Sequence, residues 1–250
     1  MKPTKQATSN YTPARGELLK VFPTTMFRGY CPLDRNQVIN DVRALVDEVR
    51  EKAEDNIMTN YTTYFNHELR KKQEQWSWYN SFANCMKDSY IEFIRTQWGY
   101  PVDHLSRHDI HFFSWVNRYE KQHWHDTHNH VNSLISGTYY VKADGLEPIK
   151  FFSPSATSEF GTGYTIDDVT IEEYRDIEFS GSAGVQTEMR VFPRDGEFLL
   201  WPSYLYHSVP QCPEQNNDDY ERISISFNLA HRDELCDRRS GDQLHYDFLK

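Results

Sequence analysis

The sequence predicts an α+β fold, with helices in the first hundred residues and then about eight short strands forming a sandwich or barrel. Three observations carry that expectation. Two stretches before Pro101 repeat their apolar residues with the helical period. After Pro101 the chain breaks into short β-like runs separated by turn residues. Sixteen Tyr, fifteen Phe and six Trp supply bulk for a sizeable core, although only 38% of residues are hydrophobic.

In chain order, residues 1–16 are polar, carry two prolines and read as a flexible N-terminal arm. Leu18 to Phe27 is β-like, and Pro23 makes it an edge strand because proline removes a ladder donor. From Asp34 to about Glu54, the residues Val38, Val42, Leu45, Val46 and Val49 fall on one helical face. From about Trp78 to Gln97, Phe82, Cys85, Met86, Tyr90 and Phe93 do the same. Strands are expected at His111–Tyr119, through the histidine-rich segment that follows, and at Leu134–Val141 and Ile149–Phe152. Polar, glycine-containing residues 153–187 read as an insertion loop and, at that length, as a candidate lid. Strands resume at Glu188–Phe192, Glu197–Trp201, Tyr206–Val209 and Arg222–Leu229. Length alone allows one large β-rich domain or two small ones. The order of elements favours a single domain over 17–232, with helices at about 34–97, a β core at about 108–230 and a tail at 233–250.

A formal charge of −10 weighs against tight non-specific binding to nucleic acid, which draws on Lys and Arg neutralising phosphates, without excluding a local basic groove. Cys31, Cys85, Cys212 and Cys236 are far apart and show no metal-type or redox-type spacing. The first residues hold no apolar signal core and no stretch approaches a membrane span. The expectation is a cytoplasmic protein with reduced thiols and no membrane partner.

The chemistry concentrates at His123-Trp-His-Asp-Thr-His-Asn-His130, where four of eleven histidines lie within eight residues. Neutral imidazole offers a lone pair near pH 7 and is the commonest protein metal ligand. In an extended strand His128 and His130 point the same way, whereas His123 and His125 have the other parity and stay outside the ligand set. His207 follows much later, in Trp201-Pro-Ser-Tyr-Leu-Tyr-His207, and Arg222-Ile-Ser224 comes after it. Two clustered ligands plus a distant one is how a β-barrel builds a metal site on neighbouring strands. An arginine beside such a site suits a carboxylate, which its planar fork binds bidentately. Arg222, Ser224, Ser226 and Asn228 share one face of their strand, and a solvent-facing side would explain that equally well. A second strand with the same logic counts against solvent: His111, Phe113, Trp115, Asn117 and Tyr119 form a mixed aromatic and polar face suited to a ligand cavity.

His128-Asn-His-Val-Asn-Ser-Leu-Ile-Ser-Gly-Thr-Tyr-Tyr-Val141 resembles a family of 2-oxoglutarate- and Fe(II)-dependent oxygenases of bacteria and marine bacteriophages. Phe22-Pro-Thr, Trp115-Val-Asn117, Trp201-Pro-Ser-x-x-x-His207 and Arg222-Ile-Ser-Ile-Ser-Phe-Asn228 are similar too, so the resemblance covers about 18–230. It implies a double-stranded β-helix (jelly-roll) core backed by the N-terminal helices. It also implies Fe(II) as cofactor, 2-oxoglutarate and dioxygen as small-molecule partners, and hydroxylation of a substrate with release of succinate and CO2. Asn117-Arg-Tyr119 also resembles the opening of oxygenases that repair alkylated nucleic acids, where such a pair precedes the first ligand histidine and contacts the keto acid. That similarity makes His128 the first ligand, with Asn117 and Tyr119 as cosubstrate contacts, Arg222 at the distal carboxylate, and Ser224 or Tyr140 as helper. The superfamily carries His-x-Asp where this chain has His130. Either His130 ligates, giving three neutral ligands, or Asp126 restores a carboxylate. His130 is preferred because a ligand on the far side of His128 matches the usual 2-His-1-carboxylate order. Asn228 and Trp201 are assigned to the substrate side. Two alternatives stand beside this reading: a cupin-like three-histidine metalloenzyme without a keto acid, and a non-catalytic phage structural or binding protein with a jelly-roll fold.

Overall fold

The computed structural model describes residues 24–51, 60–131, 133–143, 148–154, 165–170, 177–182, 185–211 and 220–231, with only the backbone described over 165–187. Its first elements are strand β1 (Phe27–Tyr30), helix α1 (Arg35–Glu51), strand β2 (Tyr61–Thr62) and helices α2 (His67–Gln73) and α3 (Tyr79–Trp98). Asp34 accepts hydrogen bonds from the Asn36 and Gln37 amides and so starts α1. Asn66 does the same for α2 through the Leu69 amide. Gly99 ends α3 at φ 62°, a left-handed cap that glycine adopts without a Cβ clash. The five valine and leucine positions expected to share a face of α1 are all buried.

Ten strands then follow or close the core: β3 (Ile110–Tyr119), β4 (His125–His128), β5 (Ile135–Lys142), β6 (Ile149–Phe152), β7 (Thr165–Thr170), β8 (Ile177–Ser182), β9 (Val185–Val191), β10 (Glu197–Pro202), β11 (His207–Val209) and β12 (Arg222–His231). They form two antiparallel sheets, ordered β1-β10-β5-β12-β3-β2 and β4-β11-β6-β9-β8-β7. The chain passes back and forth between them, so that β10-β5-β12-β3 faces β4-β11-β6-β9. This is a double-stranded β-helix, the architecture the resemblance implies. Tyr140, Leu199 and Trp201 of the first sheet pack with Ile149, Phe151 and Val191 of the second.

The outer face of the first sheet is covered by helices. Ile223, Ile225, Phe227 and Leu229 of β12 join one core with Val38, Val42, Phe82, Met86 and Phe93 of α1 and α3. Strand alternation therefore turns Arg222, Ser224, Ser226 and Asn228 inward between the sheets rather than to solvent. Glu221 accepts from Arg43 at 2.7 Å and pairs with Arg118 and Lys142 at 3.2 and 3.0 Å, tying α1 to the start of β12. Gly137 lets this sheet close: a Cβ there would meet the Phe227 ring at 2.5 Å and the Leu199 carbonyl at 2.6 Å.

Three expectations change. The edge strand expected at 18–27 lies at 27–30, pairing with β10, while residues 18–23 fall outside the described ones. The 153–187 loop contains β7, β8 and the start of β9, which extend the second sheet as successive hairpins. Its polar composition hid strands whose partners are local, and residues 155–164, 171–176 and 183–184 of the expected lid lie outside the described ones. Helix α2 was missed because seven residues give too few apolar positions to establish a period. The arm at 1–16 and the tail at 233–250 lie outside the described residues. No described helix is long and apolar enough to cross a membrane.

Candidate metal centre

Strand pairing brings the distant histidines together. His207, the first residue of β11, is the register partner of His128, the last residue of β4, and their rings stand 4.3 Å apart. His130 lies just beyond β4, not within it as expected, and its amide donates to the Ser203 carbonyl at 2.9 Å. One ring nitrogen from each of His128, His130 and His207 falls within 4.8 Å of the others. The carboxylate of Asp126 is not part of this group; it faces outward and accepts from the Trp124 indole at 3.2 Å.

A bulge explains why. Along β11 the register advances from His207 to Val209, two residues, while along β4 it moves from His128 to His125, three residues. The extra residue reverses parity, turning Asp126 out and His125 in. His125 stacks on His128, with centroids 4.2 Å apart and planes 18° apart, and lines the same cavity. Strict alternation therefore misses it.

The three histidines are oriented alike. Nδ1 of His128 donates to the Asp126 carbonyl at 2.7 Å, and Nδ1 of His207 to the Leu205 carbonyl at 3.0 Å. Nδ1 of His130 donates to Oδ1 of Asn228 at 2.5 Å. Each acceptor is an oxygen with no proton to give, so each Nδ1 carries the hydrogen and each Nε2 keeps its lone pair. Metal-binding histidines are held in this way. Burial lowers their basicity further: His130 is pushed down to about 4, and His207 to about 2, burial acting first and the neighbouring imidazoles adding to it. The cluster is neutral at pH 7.

Arg222, 3% exposed, lies across the cavity, its guanidinium 5.2 Å from the Tyr140 ring and 5.7 Å from the Tyr119 ring. Ser224 and Ser226 of the same strand line the cavity with Thr138. The Tyr140 hydroxyl is fully buried within reach of the Arg222 guanidinium, and burial pushes its pKa up to about 12, with Arg222 acting in the opposite sense. No described residue lining the cavity is a carboxylate. A neutral hydroxyl donor and a guanidinium in a cavity whose described lining holds no acid fit an anionic ligand, and three neutral imidazoles with one ring nitrogen each within 4.8 Å of the others fit a divalent metal.

Other expected residues are held back from the cavity. Asn117 accepts from Asn60 at 3.1 Å and donates to Ser226 at 2.9 Å, so it braces the cavity wall rather than lining it. Asn228, expected on the substrate side, has its Oδ1 committed to His130 and to Ser136 at 2.9 Å. Trp201, also expected there, is 1% exposed and packs edge-on against His207 at 4.9 Å. Both requirements arise from neighbours across the sheet that strand parity does not name. An aromatic row runs out from the site instead. Trp115 lies 5.6 Å from His130, Tyr64 lies 5.0 Å from Trp115, and Phe65 beyond it is exposed.

Residues 113–228, which span this whole site, match the family described as "Putative 2OG-Fe(II) oxygenase". No curated protein sequence matches the chain. Among solved structures, a prolyl-4-hydroxylase of Pseudomonas putida aligns at 14% identity over 84% of this chain and 94% of its own, with a TM-score of 0.47. HygX of Streptomyces hygroscopicus, solved with nickel and 2-oxoglutarate, aligns at 11% identity over 83% of each chain with a TM-score of 0.46. The epimerase SnoN of nogalamycin biosynthesis gives 11% over 83% of this chain and 78% of its own, with a TM-score of 0.47.

Proposed function

We propose, from the premise that residues 113–228 belong to a family of 2OG-Fe(II) oxygenases, that the chain is an Fe(II)- and 2-oxoglutarate-dependent dioxygenase that hydroxylates its substrate and releases succinate and CO2. The observation that carries this reading is the clustering of His128, His130 and His207, each with Nδ1 donated to an oxygen so that Nε2 keeps its lone pair, and with one ring nitrogen of each within 4.8 Å of the others. These three would hold the iron. Arg222 and the Tyr140 hydroxyl would take the distal carboxylate of the keto acid, with Ser224 beside them. Bound iron with the keto acid supplies the oxidising chemistry, with dioxygen spent in decarboxylating the keto acid and oxygenating the substrate.

The chain's own residues orient and insulate. The buried imidazoles stay neutral, so no proton competes with the metal at pH 7. Three neutral ligands and Arg222 leave the site more cationic than a 2-His-1-carboxylate centre, and a dianionic keto acid offsets that charge. The aromatic row from Trp115 to Phe65 supports a substrate approaching from that side.

Anaerobic titration of the Fe(II) protein with 2-oxoglutarate tests the reading. A visible charge-transfer band should develop at one equivalent, and Arg222→Lys should weaken it while metal binding holds, because lysine lacks the planar fork. One observation favours a second reading: the ligand group contains no carboxylate, as in a three-histidine metalloenzyme that uses no keto acid. Stoichiometric metal binding without any response to 2-oxoglutarate would select that reading over the first.

A further inference from the structure

His125 is the fourth histidine of the site, and neither the ligand set nor the anion clamp uses it. A register shift and two contacts define its place. The bulge in β4 turns it inward, its ring lies flat on His128, and its Nδ1 is 3.2 Å from the Tyr119 hydroxyl. It also lines a depression on the outer surface with Trp124 and Val209, so it stands as a wall between solvent and cavity. Tyr119 is the register partner of Arg222 across β3 and β12, and the guanidinium lies over its ring. The Tyr119 hydroxyl is therefore held between His125 and the anion-binding end of the cavity.

A phenol bonded to an imidazole can act in either direction, and the cavity decides which is useful. If Tyr119 gave its proton to His125, its oxygen would offer only lone pairs beside Arg222, where an anion is to sit. If His125 donates from Nδ1, the phenol oxygen is occupied as an acceptor and its own O–H is released toward the cavity. The other three histidines of the site also use Nδ1 as donor. We infer that His125 is a positioning residue for the cosubstrate, its Nδ1–H fixing the Tyr119 hydroxyl so that Tyr119 donates to the carboxylate held by Arg222. This rests on the keto-acid reading proposed above. Alternation of side chains along β4 excludes His125 from the site, so the role follows from the bulge alone.

The test uses His125→Phe, which keeps a flat ring against His128 and removes only the hydrogen bond. His125→Asn returns a donor near the Nδ1 position. 2-Oxoglutarate affinity is measured calorimetrically on the anaerobic metal-loaded protein, and metal affinity by chelator competition, so neither readout is turnover. His125→Phe should weaken 2-oxoglutarate binding by roughly three- to tenfold, the range expected for one net hydrogen bond, with metal affinity unchanged. His125→Asn should recover part of the loss. With Tyr119→Phe as background, His125→Phe should cost nothing further, because the two act in series. Unchanged 2-oxoglutarate affinity in His125→Phe would overturn the inference, as would losses that add to those of Tyr119→Phe. A fall in metal affinity would overturn it as well, assigning His125 to the support of His128. Wild-type protein that binds metal but no 2-oxoglutarate would overturn the functional reading and this role with it. That outcome is distinguishable from wild-type affinity that His125→Phe leaves intact.

Discussion

Asn228 is the most informative single residue to change, because it touches neither metal nor cosubstrate in the reading above. Its Oδ1 accepts from His130 Nδ1 at 2.5 Å and from the Ser136 hydroxyl at 2.9 Å. Asn228→Ala deletes the acceptor that fixes the His130 tautomer, so the ring can present Nδ1–H or Nε2–H to the metal position. Partners behind a ligand histidine typically carry about 10- to 100-fold in metal affinity, equivalent to roughly 1.4–2.8 kcal/mol at about 1.4 kcal/mol per tenfold. The metal-free protein should lose roughly 1–3 kcal/mol for the stranded donors. Competition with a chromogenic chelator under anaerobic conditions measures the first, and urea unfolding of the metal-free protein the second. Asn228→Asp is the control: it keeps an acceptor in place and should bind metal about as tightly as the wild type does. Wild-type metal affinity in Asn228→Ala would refute the argument, since the tautomer would then be set by something other than this bond. Equal weakness in the Asp variant would refute it too, by showing that amide geometry rather than acceptance matters.

Three further outcomes are expected. Asp126→Asn should leave metal stoichiometry unchanged while His130→Ala loses metal at micromolar protein, because the Asp126 carboxylate faces Trp124; loss of metal in Asp126→Asn alone would make it the third ligand. Burial holds His130 near 4 and His207 near 2 against 6.5 for a free histidine, so the unfolded chain takes up protons first. Stability of the metal-free protein should therefore be full above about pH 6.5 and fall steadily toward pH 4, with a shallower fall in His207→Phe; identical pH slopes would contradict this origin. Gly137→Ala should lower the thermal midpoint by overpacking, a cost of about 1–3 kcal/mol, since neither the buried Phe227 ring nor the Leu199 carbonyl can withdraw; an unchanged midpoint would mean the sheet opens there at no cost.

Local periodicity made the framework legible. The valines of α1, the aromatic face of α3 and the alternation of β12 are patterns within one element, and the folded chain keeps them. Elements too short to show a period were not legible that way, although Asn66 was available as a cap signal for α2. The polar face of β12 was visible as a pattern, but whether it met solvent or a cavity depended on the helices behind it and the sheet in front.

The site itself shows where such reading stops. Strand parity groups His128 with His130 and Asp126, and excludes His125; the folded chain keeps His130 near His128, turns Asp126 away and brings His125 in. The slip is a single residue, and it is fixed by pairing with β11, some eighty residues away in sequence. No local pattern encodes it, because the shift is defined by the register between β4 and β11 rather than by residues within β4. The same holds for Asn117 and Asn228. Each carries a polar side chain on the strand face that meets the cavity, yet Asn60 and Ser226 engage the first and His130 and Ser136 the second. A face identifies which residues can reach a ligand, and the hydrogen bonds already made across the sheet determine which of them are still available to do so. On that criterion Asn117, whose amide is already bonded on both sides, is held in the cavity wall, whereas the Tyr140 hydroxyl lies buried beside Arg222 in the cavity lining, which is why the proposed keto-acid reading uses Tyr140 rather than Asn117.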